Sequence, residues 1–133
     1  MVATLVTDVP GSSAYFLGGA VTYANAAKES LIDVDPDTLR RFGAVSEETA
    51  RAMARGVRER FRADVGLSVT GIAGPDGGTP EKPVGTVHFA LAARTGAEIA
   101  KKRLFVGDRS VVRRAASIQA LELLRRYLAG EEA

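Results

Sequence analysis

The chain has 133 residues, enough for one domain with a single apolar core. It has no cysteine and one histidine, which excludes disulfides, thiolate metal sites and a zinc site built from histidines. A net charge of +2 and an aromatic content of 6% do not indicate a nucleic-acid-binding surface. No apolar run approaches the roughly 20 residues that span a bilayer, and no signal-peptide pattern opens the sequence. We therefore expect a cytoplasmic protein with no membrane partner.

The first part of the sequence predicts the end of a helix, then a strand and a short helix. The helix covers residues 3–8 and ends before Pro10. The stretch FLGGAVTY, residues 16–23, alternates loosely and is rich in β-formers, which predicts a strand with a glycine kink. Asn25 is placed to cap a helix that ends at about Ile32.

The remainder predicts two longer helices with three strands between them. Ser46 is placed to cap the first helix, whose apolar residues follow helical spacing: Ala50, Met53, Ala54, Val57 and Phe61. The strands are predicted at residues 67–73, 85–93 and 97–106, and the last two form a hairpin. Asp108 or Ser110 begins the final helix. Its predicted buried stripe consists of Val111, Ala115, Ile118, Leu121, Leu124 and Leu128.

Strands that alternate with helices, plus one hairpin, predict an α/β layered fold with a mixed, mostly parallel sheet. In such sheets, ligands bind beyond the carboxyl ends of the parallel strands. The stretch VTGIAGPDGGTPEKPVGTV, residues 69–87, follows a predicted strand and contains five glycines. It matches neither a P-loop nor a dinucleotide-binding fingerprint. We expect it to form a wall of a binding crevice, with a rigid surface turn as the alternative.

A second stretch, GSSAYFLGGAVTYANAAK, carries residues suited to amide chemistry. Lys28 lies near the start of a predicted helix, where the helix dipole disfavours an ammonium group. Unfavourable charge and desolvation both lower the pKa of a lysine, which would suit a general base. Such a lysine could activate a serine hydroxyl, while Tyr23 relays a proton. The alternative is a lysine whose stem packs against the surface and a tyrosine that belongs to the core.

A third signal, Gly107-Asp108-Arg109, lies where a strand ends and a helix begins. Free N–H groups and the helix dipole attract anions there, and an arginine can bind phosphate through two hydrogen bonds. A capped helix start with a surface arginine is the alternative. Each of the three signals is weak alone, but all of them fall at predicted strand ends.

Together with FGAVSEETA, residues 42–50, these stretches resemble the C-terminal domain of the competence/damage-inducible protein CinA. That family includes the stand-alone nicotinamide mononucleotide deamidases. The resemblance covers essentially the whole chain and implies a three-layer α/β/α fold. It also implies hydrolysis of the nicotinamide carboxamide to the acid and ammonia, with no metal and no cofactor. On the same basis we expect a small-molecule nucleotide substrate, a homo-oligomer of two or more chains, and no nucleic-acid partner.

The resemblance also assigns roles to individual residues. Ser13 matches the family's nucleophile, Lys28 its base, and Tyr23 the tyrosine that assists them. Arg109 would hold the substrate at its phosphate. The residues that would bind substrate are Ser12, Thr70, Gly71, Gly74 and Arg109.

The sequence departs from the family at its start. Family members begin with a strand and a turn reading Glu-Ser-Cys-Thr-Gly-Gly, followed by a helix, and this sequence begins inside that helix. We therefore expect a single domain, residues 1–133, that lacks the first strand and the start of the first helix. Two alternatives to an amidohydrolase remain open. One is a non-catalytic nucleotide-binding or regulatory domain, and the other is a structural partner domain associated with DNA uptake or repair.

Overall fold

The computed structural model describes residues 1–131, which form five α-helices and three β-strands. The helices are α1 Val2–Thr7, α2 Asn25–Ile32, α3 Pro36–Phe42, α4 Glu47–Phe61 and α5 Arg109–Leu128. The strands are β1 Val65–Gly71, β2 Thr86–Ala93 and β3 Glu98–Leu104. A 3-10 turn, Ser12–Ala14, follows α1. None of the helices within residues 1–131 is long and apolar enough to cross a membrane.

The three strands form one antiparallel sheet in the order β1-β2-β3. The mostly parallel sheet predicted from the sequence is therefore wrong. Parallel neighbours need a long crossover connection, usually a helix. Only a loop joins β1 to β2, and the turn at residues 94–96 joins β2 to β3, so each strand runs opposite to the one before it.

The strand predicted at residues 16–23 is also wrong, because this segment has no regular secondary structure. Within the described chain, residues 17–23 make no backbone–backbone hydrogen bond. Its β-forming side chains favour a strand only where a neighbouring strand is available to pair with it. Without that partner, Leu17, Val21 and Tyr23 are exposed.

Two helices cover opposite faces of the sheet. On one face Ala50 and Ala54 of α4 pack against Ala90 and Ala92 of β2. Because side chains alternate along a strand, the intervening residues of β2 point to the other face and pack against α5. The buried residues of that second cluster are Val87, Phe89, Leu91, Val112, Ala116, Ala120 and Leu123. The result is a helix–sheet–helix α/β arrangement.

The face by which α5 contacts the sheet is not the predicted stripe, since none of the six residues of that stripe is fully buried. Val111 and Ile118 are each 48% exposed and Leu128 is 67% exposed, although all three were expected in the core. The buried residues are Val112, Ala116, Ser117, Ala120 and Leu123. α5 carries apolar residues on both sides, so helical spacing of apolar residues fits two different buried stripes. The stripe with small alanines faces the sheet, where it allows close packing.

The predicted helix starts are confirmed at two of three places. Ser46 caps α4 by accepting a hydrogen bond from the Thr49 N–H at 3.1 Å. Asp108 caps α5 by accepting one from the Val111 N–H at 3.0 Å. Asn25, however, is the first residue of α2 rather than its cap, and no side chain caps that helix.

Candidate active site

The glycine-rich loop, residues 72–85, joins β1 to β2 and is closed at its base by backbone hydrogen bonds. The Ile72 N–H donates to the Thr86 carbonyl at 2.9 Å, and the Gly85 N–H donates to the Ile72 carbonyl at 2.7 Å. Gly85 has φ +97°, and a Cβ there would lie 2.0 Å from the Phe105 carbonyl oxygen. Only glycine fits this position. The loop therefore leaves the sheet from a fixed base.

Arg109 connects the start of α5 to this loop. Its Nη1 donates a hydrogen bond to the Gly74 carbonyl at 3.0 Å. Within residues 1–131 it forms no ion pair with an acidic side chain, so its charge is not neutralised by the protein. The structure thus brings together two of the predicted substrate-binding residues. The remaining guanidinium N–H groups can bind an anion such as a phosphate.

Thr70 lies at the end of β1, directly before the loop, and is buried. Its hydroxyl donates a hydrogen bond to the Ala44 carbonyl at 2.7 Å, and this bond holds the turn between α3 and α4. The next residue, Gly71, is exposed. From the loop itself, Lys82 Nζ donates to the Phe42 carbonyl of the same turn at 2.9 Å. The sequence interpretation did not assign a role to Lys82, although a lysine in a glycine-rich stretch was visible there.

Lys28 is only 5% exposed in α2. Its Nζ donates to the Thr22 carbonyl at 2.7 Å, and no acidic side chain in the described chain pairs with it. Burial lowers the pKa of Lys28 because the charged form is desolvated. α2 reaches this position because it crosses α4 at Gly56, where a Cβ would lie 1.8 Å from the Ile32 carbonyl oxygen. A lysine with a lowered pKa can act as a general base.

The other predicted catalytic residues form no hydrogen bond with Lys28 in the described chain. Ser12 is buried in the 3-10 turn, whereas Ser13 is exposed and Tyr23 is 84% exposed. Within residues 1–131 no hydrogen bond joins Ser13, Tyr23 and Lys28 to one another. The unpaired segment 16–23 separates the serine turn from α2. The structure therefore does not bring these three residues into hydrogen-bond contact.

The only histidine of the sequence, His88, lies on the sheet near the glycine-rich loop. His88 of β2 lies between Thr70 of β1 and Lys102 of β3. Burial is the main cause that lowers the pKa of His88, and the charges of Lys102 and Lys82 lower it further. In the described part of the chain, no group of three or more His, Cys, Asp or Glu side chains could hold a metal ion. Independence from metal remains a prediction.

Comparison with known proteins identifies the family. The CinA C-terminal domain model matches residues 1–128. CinA-like proteins of Geotalea uraniireducens and Syntrophotalea carbinolica are 55% and 51% identical over 96% of this chain. The chain spans only 30% and 31% of their respective lengths.

Solved structures agree with this assignment. The competence/damage inducible protein CihA from Agrobacterium tumefaciens has a TM-score of 0.90 at 46% identity, covering 92% of this chain and 75% of that chain. The competence damage-inducible protein A (ComA) from Klebsiella pneumoniae has a TM-score of 0.91 at 34% identity, covering 96% of this chain and 79% of that chain. The helices, the loop and the sheet described above are therefore those of a known fold, and the chain belongs to the CinA C-terminal domain family.

Proposed function

We propose that this domain is a metal-independent amidohydrolase that deamidates nicotinamide mononucleotide to nicotinic acid mononucleotide and ammonia. The observation that carries the proposal is Lys28. It is buried, its pKa is lowered, and among the described residues it has no acidic partner. A structural lysine gains little from such a position, since burying an unpaired ammonium group is unfavourable.

In the proposed reaction, Lys28 takes the proton of the Ser13 hydroxyl as Oγ attacks the carboxamide carbon. Tyr23 assists the proton transfer, and backbone N–H groups of the glycine-rich loop stabilise the oxyanion. The carbon–nitrogen bond then breaks, and the amide nitrogen leaves as ammonia with the proton from Lys28. Water hydrolyses the resulting ester of Ser13, which releases the acid. Ser13 and Lys28 must approach each other when substrate binds, as catalytic groups commonly do.

The binding part of the proposal assigns the substrate phosphate to Arg109. This residue begins α5, where the helix dipole also favours an anion, and it already contacts the glycine-rich loop at Gly74. Thr70 and Gly71 lie at the base of the same loop and would line the pocket. Ser12 would contribute from the 3-10 turn. Assembly into a homo-oligomer remains a further prediction of the family resemblance.

A non-catalytic nucleotide-binding or regulatory domain is the second candidate. It is favoured by one specific observation: in the described chain, no hydrogen bond joins Lys28 to Ser13 or to the exposed Tyr23. Arg109 and the loop could bind a nucleotide without any help from these three residues. This candidate predicts that nicotinamide mononucleotide binds but is not converted.

The test is ammonia release from nicotinamide mononucleotide, with the acid product identified by mass spectrometry. We expect turnover by the wild-type protein, no turnover by Lys28→Met, and normal turnover by Lys101→Met. Lys101→Met is a suitable control because it also removes one positive charge, but from the face of β3 that lies opposite to Lys102 and His88. Binding without turnover by the wild-type protein would favour the second candidate. A chelator should leave the rate unchanged, and inhibition reversed by added metal would contradict the proposed chemistry.

A further inference from the structure

The turn between α3 and α4 has no role in the reaction proposed above, yet it is held by the candidate site. It contains the start of the FGAVSEETA motif, and we call residues 42–44 the carbonyl turn. All three of its consecutive backbone carbonyls accept hydrogen bonds from side chains. The donors come from three different elements: Lys82 of the glycine-rich loop, Ser46 and Thr49 at the start of α4, and Thr70 of β1.

Two of these bonds fix the carbonyl turn itself. Ser46 Oγ and Thr49 Oγ1 donate to the Gly43 carbonyl at 3.1 and 2.6 Å. Gly43 has φ +80°, a conformation that side chains disfavour, and a Cβ there would lie 3.3 Å from Lys82 Nζ. Since Ser46 also caps α4, the turn is tied to the helix that packs on the sheet. The turn is therefore a rigid support.

The other two bonds join this support to the proposed pocket. Thr70 donates to the Ala44 carbonyl from the base of the glycine-rich loop, and Lys82 donates to the Phe42 carbonyl from within the loop. Inside the loop, the Thr79 N–H donates to the Lys82 carbonyl at 2.9 Å, and the Lys82 N–H donates to Thr79 Oγ1 at 3.0 Å. Because Lys82 is hydrogen-bonded to Thr79, its bond to the carbonyl turn also restricts the part of the loop between these two residues.

The glycine-rich loop is thus attached on two sides, by Arg109 at Gly74 and by Lys82 at the carbonyl turn. Within residues 1–131 Lys82 forms no ion pair, and its ammonium group bonds a neutral carbonyl. Such charge-assisted hydrogen bonds are stronger than bonds between neutral groups. Such attachments restrict the loop in the free protein, whereas a glycine-rich loop that becomes ordered only on binding loses much conformational entropy.

We propose that Lys82 is a positioning residue, which holds the glycine-rich loop against the carbonyl turn in the conformation that binds substrate. It acts through the loop backbone and does not contact substrate. The activity part of this inference rests on the proposed deamidation, whereas the ordering of the loop does not. Without Lys82, the loop must become ordered during binding, which raises KM more than it lowers kcat.

The first measurement is ¹⁵N relaxation of the backbone amides of Gly74, Gly77 and Gly78 in the free protein. We expect their order parameters to fall in Lys82→Met and to stay at wild-type values in Lys82→Arg, because arginine can still donate to the Phe42 carbonyl. Lys101→Met is the control for the loss of one charge. Unchanged order parameters in Lys82→Met would overturn the proposal, and so would an equal fall in Lys101→Met.

The second measurement is the steady-state kinetics of ammonia release by the same variants. Loss of one hydrogen bond predicts an increase in KM of about three- to tenfold in Lys82→Met, with kcat changed less than KM. Lys82→Arg should restore KM. A fall in kcat with KM unchanged would contradict a positioning role. If the wild-type protein proves inactive, the proposed function fails, and the relaxation measurement alone decides whether Lys82 orders the loop.

Discussion

The two halves of the candidate site differ in how they are held. The binding half consists of the glycine-rich loop, Thr70 and Arg109, and it is joined to the sheet, to α5 and to the carbonyl turn by hydrogen bonds. The proposed catalytic half consists of Ser13, Tyr23 and Lys28, and of these only Lys28 is fixed by a side-chain hydrogen bond in the described chain. The proposed binding residues are thus held in place in the free protein, whereas no hydrogen bond joins the proposed catalytic residues to one another in the described chain.

The difference follows from the backbone. The glycine-rich loop joins two paired strands, so the pairing of β1 with β2 fixes both of its ends. The segment 16–23, which links the 3-10 turn of Ser13 to α2, has no partner strand, so the sheet does not hold Ser13 or Tyr23 in place. We expect substrate binding to bring Ser13, Tyr23 and Lys28 together. Binding and catalysis should therefore respond separately to mutation.

The largest effect is expected in Ser13→Ala, which removes the proposed nucleophile. We expect kcat for ammonia release to fall by at least about 1,000-fold, because loss of a catalytic nucleophile leaves only residual catalysis. Ser30→Ala, an exposed serine of α2, is the matched control and should retain full activity. A loss of only a few-fold in Ser13→Ala would remove the serine mechanism.

Arg109→Ala should affect binding and leave chemistry unchanged. A charge-assisted hydrogen bond contributes about 1.5–3 kcal/mol, so KM for the mononucleotide should rise by about one to two orders of magnitude with kcat little changed. Nicotinamide riboside, which lacks the phosphate, should lose little more in the variant. Arg113→Ala, an exposed arginine of α5, is the control. An equal loss on both substrates would mean that Arg109 does not bind the phosphate.

Thr70→Val tests whether the base of the loop depends on the carbonyl turn. The variant keeps the shape of the side chain but leaves the Ala44 carbonyl without its bond from Thr70, which should lower the free energy of unfolding by about 1–3 kcal/mol. Ser68→Ala is the comparison, since Ser68 donates to the Ala50 carbonyl at 2.6 Å on the same sheet face. We expect both variants to lose stability in chemical denaturation and only Thr70→Val to raise KM. A rise in KM for both would contradict a specific role of Thr70.

The smallest effect concerns the charge of Lys28. Because its pKa is lowered in the folded protein, the unfolded chain binds more protons between the folded and unfolded pKa values, and stability rises with pH across that window. Lys28→Met lacks this contribution. The free energy of unfolding of the wild-type protein relative to Lys28→Met should therefore increase as the pH rises toward the ordinary lysine pKa. A difference that does not change with pH would show that Lys28 keeps an ordinary pKa.

The sequence was sufficient for features that depend on local chemistry. Ser46 and Asp108 cap the helices that they were predicted to cap, and the turn at residues 94–96 forms the expected hairpin. Features that depend on partners were missed. The β-forming residues 16–23 have no strand to pair with, and a loop and a turn join the three described strands, so these run antiparallel.

In the candidate site, too, the sequence indicated some features and missed others. Gly74 and Arg109 were both predicted to bind substrate, and a hydrogen bond joins them because the loop after β1 and the start of α5 lie at the same edge of the sheet; their role in binding stays a prediction. The lowered pKa of Lys28 also agrees with the sequence argument, which gave unfavourable charge and desolvation as causes, and burial is the cause in the structure. Lys82 was missed because its partner is a backbone carbonyl 40 residues away, which no side-chain pattern reveals.

The most direct test of the separation between the two halves is calorimetric titration of nicotinamide mononucleotide into Ser13→Ala, which cannot turn over its ligand. A preorganised binding half predicts that this variant binds the mononucleotide, and that adding Arg109→Ala weakens the affinity by about one to two orders of magnitude. If Ser13→Ala does not bind the mononucleotide at all, or binds it equally well with and without Arg109, the binding half described above is not the binding site.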